Sequence, residues 1–195
     1  MKQDVFEHGI VYHVFNRGNN LESIFKEPQN YVLFLDLIKK HLLKVTDIYA
    51  YCLLNNHFHL LVRIKDKSDI MEKSMQEKPY LGFSHFLNSY VQTINKTYNR
   101  KGSLFQEHLK RFRVTDNDYF IQLIVYIHLN PIKHGFSDDL TYPYSSYNAM
   151  ISKKKTLIKR EDVLSNFGDV ENFKYWHDFQ KIKHESVLSL INEGY

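Results

Sequence analysis

The order of apolar and polar positions divides the chain into alternating periods. Residues 10–17, IVYHVFNR, are β-branched and aromatic and stop at Gly18, the pattern of a strand. From 28 to 44 the period lengthens: Tyr31, Phe34, Leu35, Ile38 and Leu42 recur at helical spacing behind Pro28, which suits a first helical turn. Residues 47–54 and 57–64 read as two strands, joined at Asn55 and Asn56 by a hairpin turn. A second helix is predicted over 81–98, with Phe83, Phe86, Leu87, Tyr90, Val91 and Ile94 on its apolar face, followed by a short strand at 112–114. A third helix opens at Thr115, where Asp118 three residues on resembles a capping box with Asp in place of Glu. It runs through YFIQLIVYIHLN and is expected to stop before Pro131, because proline disfavours helical geometry in the residue preceding it.

The resulting order, β-α-β-β-α-β-α, predicts an α+β domain with a ferredoxin-like antiparallel sheet and helices packed on it. After TYPYSSY at 141–147 the composition becomes more polar, and short helices are predicted at 160–166 and 170–181. The expected division is one domain over 1–147 and a short C-terminal helical appendage over 148–195.

Composition narrows the class. The chain has 195 residues, 43% of them hydrophobic, with 14 Phe and 14 Tyr, enough to bury a core. A single cysteine, Cys52, leaves no intrachain disulfide and fits a reducing cytoplasm. No apolar run has the length of a membrane span or the form of a signal peptide, so a cytoplasmic protein with no membrane partner is expected. The net charge is only +4, yet residues 96–113 alone hold six Lys and Arg against one acid, Glu107. These cations alternate with Tyr98, Phe105 and Phe112, a composition suited to phosphates and stacked bases, although a solvated basic face has the same composition.

Two features carry candidate chemistry. In a strand, residues i and i+2 point to one face roughly 6–7 Å apart, so His57 and His59 of HFHLLV converge while Phe58 points the other way. Two neutral imidazoles make half of a divalent metal site, and an isolated pair can equally be satisfied structural histidines. The second feature is a polar line, Gln122, Tyr126 and Asn130, four residues apart on an otherwise apolar helix, extended by Tyr119 and Lys133. A solvent-facing stripe would normally carry Lys, Glu and Arg, and none occurs from 119 to 129. The line is therefore expected to be covered by something polar.

Taken together and in order, YHVFNRGNN (12–20), NNHFHLLVR (55–63), GSLFQEHLKRFRV (102–114), YIHLNPIKHGF (126–136) and YPYSSY (142–147) resemble the single-tyrosine HUH transposases. The likeness covers residues 8–147 and is strongest to the REP-associated tyrosine transposase branch. It implies the HUH endonuclease fold and a metal-dependent transposase that nicks single-stranded DNA through a 5′-phosphotyrosine and rejoins strands. By the resemblance, His57 and His59 take the metal, Mg²⁺ or Mn²⁺, Asn130 stands where relatives offer a third ligand, and Tyr126 is the nucleophile. Single-stranded or hairpin DNA is then the partner, with Arg17, Arg63, Lys110, Arg111 and Arg113 as the candidate DNA surface and Gln122 and Lys133 as supporting groups. His108 is a weaker DNA candidate, and His128 is read as structural. Asn55 and Asn56 stand where Pro-Asn is commoner, and His134 with Gly135 where Ala-Gly is commoner; neither removes a catalytic group. Monomers acting in cis and homodimers with swapped tyrosines both occur among relatives. Two other readings remain open from sequence: a non-catalytic hairpin-binding protein of the same fold, and an unrelated metal hydrolase with an HxH site.

Overall fold

The computed structural model describes residues 5–182. Its strands are β1 (Val11–Arg17), β2 (Thr46–Leu54), β3 (His57–Ile64) and β4 (Lys110–Arg113). Its helices are α1 (Pro28–His41), α2 (Lys73–Glu77), α3 (Tyr80–Thr97), α4 (Asn117–Lys133), α5 (Tyr147–Ile151), α6 (Arg160–Phe167) and α7 (Val170–Ile182). The sheet order is β2-β3-β1-β4 with every neighbouring pair antiparallel, the arrangement that a split β-α-β unit produces.

Register fixes which side chains share a face. Directly paired residues point the same way, so Val11, His13, Phe15 and Arg17 of β1 lie on the face of His57, His59, Leu61 and Arg63. Pairing with β4 adds Phe112 opposite His13 and Lys110 opposite Phe15 to that face. The reverse face presents Phe58, Leu60 and Val62 to α1 and α3. There the Phe34 ring meets Phe58 at 5.1 Å, Phe86 at 4.7 Å and Tyr90 at 4.9 Å, and all four rings are almost wholly buried. Burial at that scale stabilises by about 1.5–3 kcal/mol per side chain and makes this layer the main anchor of the sheet.

Helix α4 crosses the histidine face over β2 and β3. Its N-cap is Asp116, whose Oδ1 accepts from Tyr119 N at 2.8 Å, rather than the expected Thr115. Thr115 instead donates to Asp116 Oδ2 at 2.8 Å, so the capping carboxylate displaces the hydroxyl from the role that sequence assigned it. At the other end the helix continues through Pro131 to Lys133, three residues beyond the predicted stop. A proline removes only its own N–H, and the chain then turns off at Gly135 (φ 69°), where Phe136 N donates to Pro131 O at 2.8 Å. The same tightening ends α1 at His41, with a 3₁₀ turn over Leu42–Lys44 where sequence predicted more helix.

The YPYSSY segment runs along the outer edge of β2. Leu53 N donates to Tyr144 O at 3.0 Å, and Ser146 N donates to Tyr51 O at 2.9 Å, which covers an edge that would otherwise be open to other strands. The described part of the expected appendage, 148–182, forms α5–α7 and packs against α4 and β2, with Phe173 fully buried in the shared core. Residues 183–195 lie outside the described residues. Among the described residues, no helix is long and apolar enough to cross a membrane.

Candidate functional site

The His57–His59 pair begins at the β2–β3 turn, and that turn is tied down by backbone contacts. Gly18 N donates to Asn56 O at 2.7 Å, and Phe25 N donates to Asn55 O at 2.9 Å. A Cβ at Gly18 would lie 2.0 Å from Glu22 O, so only glycine lets the chain fold back on itself just after this contact. His57 and His59 follow at once, 4% and 0% exposed, with their rings 5.3 Å apart and nearly perpendicular. His57 Nδ1 lies 2.7 Å from Asn56 Oδ1, an atom that can only accept, so the ring proton belongs on Nδ1. His57 Nε2 thus carries the lone pair, and it is buried with no hydrogen-bond partner. His59 Nδ1 lies 2.9 Å from Nε2 of His13, which is 1% exposed.

Burial keeps these rings neutral. It lowers the pKa of His13 to about 3, as burial backed by the charges of His134 and Arg17 does for His57. Burial chiefly, with His13, His57, His134 and Lys133 adding repulsion, pushes His59 well below the ordinary value. Neutral imidazole is the ligating form, so the pair is in the state that metal binding requires.

Helix α4 brings Tyr126 of the polar line against His59. The Tyr126 ring stands edge-on to His59 at 5.7 Å and to His13 at 6.2 Å, and the residue is 4% exposed. Lys133 Nζ sits 4.5 Å from the centre of the same ring, and burial lowers its pKa to about 8. Asn130, fully buried, donates from Nδ2 to Tyr126 O at 2.8 Å, which leaves its Oδ1 buried without a partner. Just past the helix end, the His134 ring lies 5.0 Å from His57. His57 Nε2, on the ring next to His59, and Asn130 Oδ1, one turn beyond Tyr126, are thus both orphaned buried acceptors. Leaving such atoms unpaired costs about 1–3 kcal/mol each, which an incoming cation or donor would recover.

The other sequence-predicted residues divide between the two faces. Arg17 pairs in register with His57, and its Nε is buried without a partner. Lys110 shares the histidine face. Arg111 and Arg113 point to the reverse face, Arg111 over the Phe6 ring at 4.8 Å and Arg113 against Glu7 at 3.3 Å. Arg63 shares the histidine face but is held by Asp66 at 2.7 Å and Asp47 at 3.8 Å, roughly 13 Å along the strand from His59. Gln122 lines a small cleft with Trp176 and Gln180 of α7 instead of joining Tyr126. His108 is exposed beside Glu107. His128 is fully buried between His177 Nε2 (2.9 Å) and Ser146 Oγ (2.7 Å), a packing role.

Sequence reasoning gave no role to His13 or His134. The signal for His13 was present in the alternation of IVYHVFNR, which needed the β1–β3 register before it could be used. Among the described residues, no three of His, Cys, Asp and Glu are grouped as a metal would require, so a site here rests on two imidazoles and an amide oxygen.

No protein-family model matches the chain, and no curated protein matches it. Among solved structures, that of a REP-associated tyrosine transposase bound to a REP hairpin superposes with a TM-score of 0.61 at 15% identity. The likeness spans 84% of this chain and 92% of that one and shows a shared fold.

Proposed function

We propose that this chain is a metal-dependent enzyme that cleaves single-stranded DNA beside a hairpin through a phosphotyrosine at Tyr126 and rejoins it to another strand, a transposase. The observation that carries this reading is the packing of the Tyr126 ring on His59, in a fold layer where His57 Nε2 and Asn130 Oδ1 are buried without hydrogen-bond partners. Fold likeness to a transposase bound to a hairpin supports it.

The residues fit a divalent cation. His57 Nε2 and Asn130 Oδ1 are buried acceptors without partners, and His59 is a neutral imidazole whose ring lies 5.3 Å from that of His57. Mixed N/O ligation suits Mn²⁺ at least as well as Mg²⁺, and such an ion, when bound, would withdraw charge from a phosphate oxygen and help orient the phosphate. The chain's own groups supply the rest. Arg17 and Lys110 on the histidine face bind the DNA backbone. Tyr126 Oη attacks phosphorus, losing its proton, as the bond to the 3′ oxygen breaks and that oxygen takes up a proton to leave as a free 3′-OH. The Lys133 ammonium over the ring favours the developing phenolate. The tyrosyl phosphodiester conserves the bond energy, so a 3′-OH from another strand can reverse the step.

Burial of Tyr126 favours a second reading, in which the fold is kept for hairpin binding without cleavage. Tyr126→Phe separates the readings on a pool of hairpins with randomised single-stranded flanks. With Mn²⁺ present, the enzymatic reading requires cleavage by the wild type, none by the variant, and binding by both. No cleavage by either protein supports binding alone, and cleavage that survives the substitution points to a metal hydrolase instead.

A further inference from the structure

Residues 96–113 carry three aromatic side chains among their cations, and the fold treats them differently. Phe105 is buried in the core. Tyr98 has Lys26 Nζ over its ring at 4.8 Å, and its hydroxyl donates to Glu27 Oε1 at 2.5 Å. Phe112, on the edge strand β4, stays 38% exposed. Its register partner is His13, so it lies on the histidine face. Its ring stacks on that of Phe15 at 5.8 Å, the one ring contact it makes among the described residues. Phe15 in turn meets the His59 ring at 5.5 Å. Phe112 is thus the outer end of a run of rings that starts at His59. Lys110, two residues earlier on the same face, stands roughly 6–7 Å away along the strand.

We propose that Phe112 is a stacking platform for one unpaired base of the single-stranded flank, with Lys110 beside it on the backbone of that strand. This rests on the reading of the histidine face as the side that meets DNA. A lone exposed apolar side chain on a surface needs no ligand. Phe112 differs because it continues a ring contact from a candidate metal ligand and has a cation next to it on the same face. Arg111 and Arg113 point the other way, Arg111 over the Phe6 ring and Arg113 against Glu7, so neither competes for that strand. The occupant is an unpaired base, because bases inside a duplex have both faces covered by their neighbours. Every base has a π-face, so the platform holds the strand in position without choosing its sequence.

The test measures binding by the full chain, with no cleavage required. The probes are a pool of hairpins with randomised single-stranded flanks and the same hairpins cut to blunt ends. Phe112→Leu keeps apolar cover over Phe15 and removes the π-face. It should weaken binding of the flanked pool about 10- to 100-fold, with blunt hairpins unaffected. Its salt slope should match the wild type, because no phosphate contact is lost. Phe112→Tyr should bind as the wild type does. In the wild type, 5-iodouracil placed in the flank should photocross-link to the peptide that contains Phe112, a readout that stands even if the Leu variant fails to fold. Wild-type affinity in Phe112→Leu, an equal loss on both probes, a changed salt slope or a cross-link elsewhere overturns the inference while leaving DNA binding standing. A wild type that binds neither probe overturns the DNA reading and this inference with it.

Discussion

Acidification from pH 7.5 to pH 5 is the perturbation that reads the buried histidines together. His13 and His57 are held at about 3 and His177 at about 4 by burial, against an ordinary 6.5. The unfolded chain therefore takes up protons below 6.5 that the folded chain refuses until pH 3–4. The unfolded state binds more protons throughout this window, so stability falls as pH falls. At pH 5, about 1.5 units below the unfolded value, each ring loses about 2 kcal/mol at roughly 1.4 kcal/mol per unit. The three together lose about 6 kcal/mol, comparable with the 5–15 kcal/mol that holds a typical domain. His59 and His128, lowered for the same reason, act in the same direction. The lowered carboxylates, such as Asp116 and Asp139, titrate below this window and leave the pH 5 value to the histidines. Urea unfolding at half-unit intervals gives the slope. In His177→Phe it should fall by about 1.4 kcal/mol per pH unit, one proton's worth. A wild type whose stability at pH 5 stays within about 1.4 kcal/mol of that at pH 7.5 would refute the claim that these rings are buried and neutral.

Three further outcomes are expected. His128→Ala leaves a cavity between Ser146 and His177 and strips each of a partner, and unfolding should show a loss of about 2–5 kcal/mol. Because burial places the Lys133 titration at about 8, cleavage that uses its ammonium should decline as pH rises through that value; Lys133→Arg should remove the alkaline decline, and an unchanged profile would count against a role for the charge. Lys110→Ala should weaken hairpin binding and reduce its salt slope by about one, whereas Arg113→Ala, on the reverse face, should leave both unchanged; filter binding at several salt concentrations distinguishes them.

The fold was legible wherever a period ran long enough. The alternation of 10–17 and the helical stripe of Phe83, Phe86, Tyr90 and Ile94 each placed an element to within about a residue, because one buried face dictates the pattern. Boundaries set by competing caps were less legible: Thr115 and Asp116 both qualify, and only geometry shows the carboxylate taking the amide. Pro131 read as a stop because its local bias is strong, yet packing of the last turn carried the helix past it. At the site, i+2 spacing on β3 and i+4 spacing on α4 brought His57, His59, Tyr126 and Asn130 into view. His13 was hidden because its partner is 46 residues away and becomes visible only through register. Register also separates the run KRFR, with Lys110 facing the histidines and Arg111 and Arg113 facing away. Charge counting along the chain could not make that division.

The central claim is that the Tyr126 phenol becomes bonded to DNA. Wild-type protein incubated with Mn²⁺ and a pool of labelled hairpins with randomised single-stranded flanks is denatured, digested with protease and examined by mass spectrometry. The account predicts a nucleotide attached to the peptide that contains Tyr126, dependent on Mn²⁺ and lost in Tyr126→Phe. Cleaved DNA with no such peptide, or an adduct on another tyrosine, would contradict it.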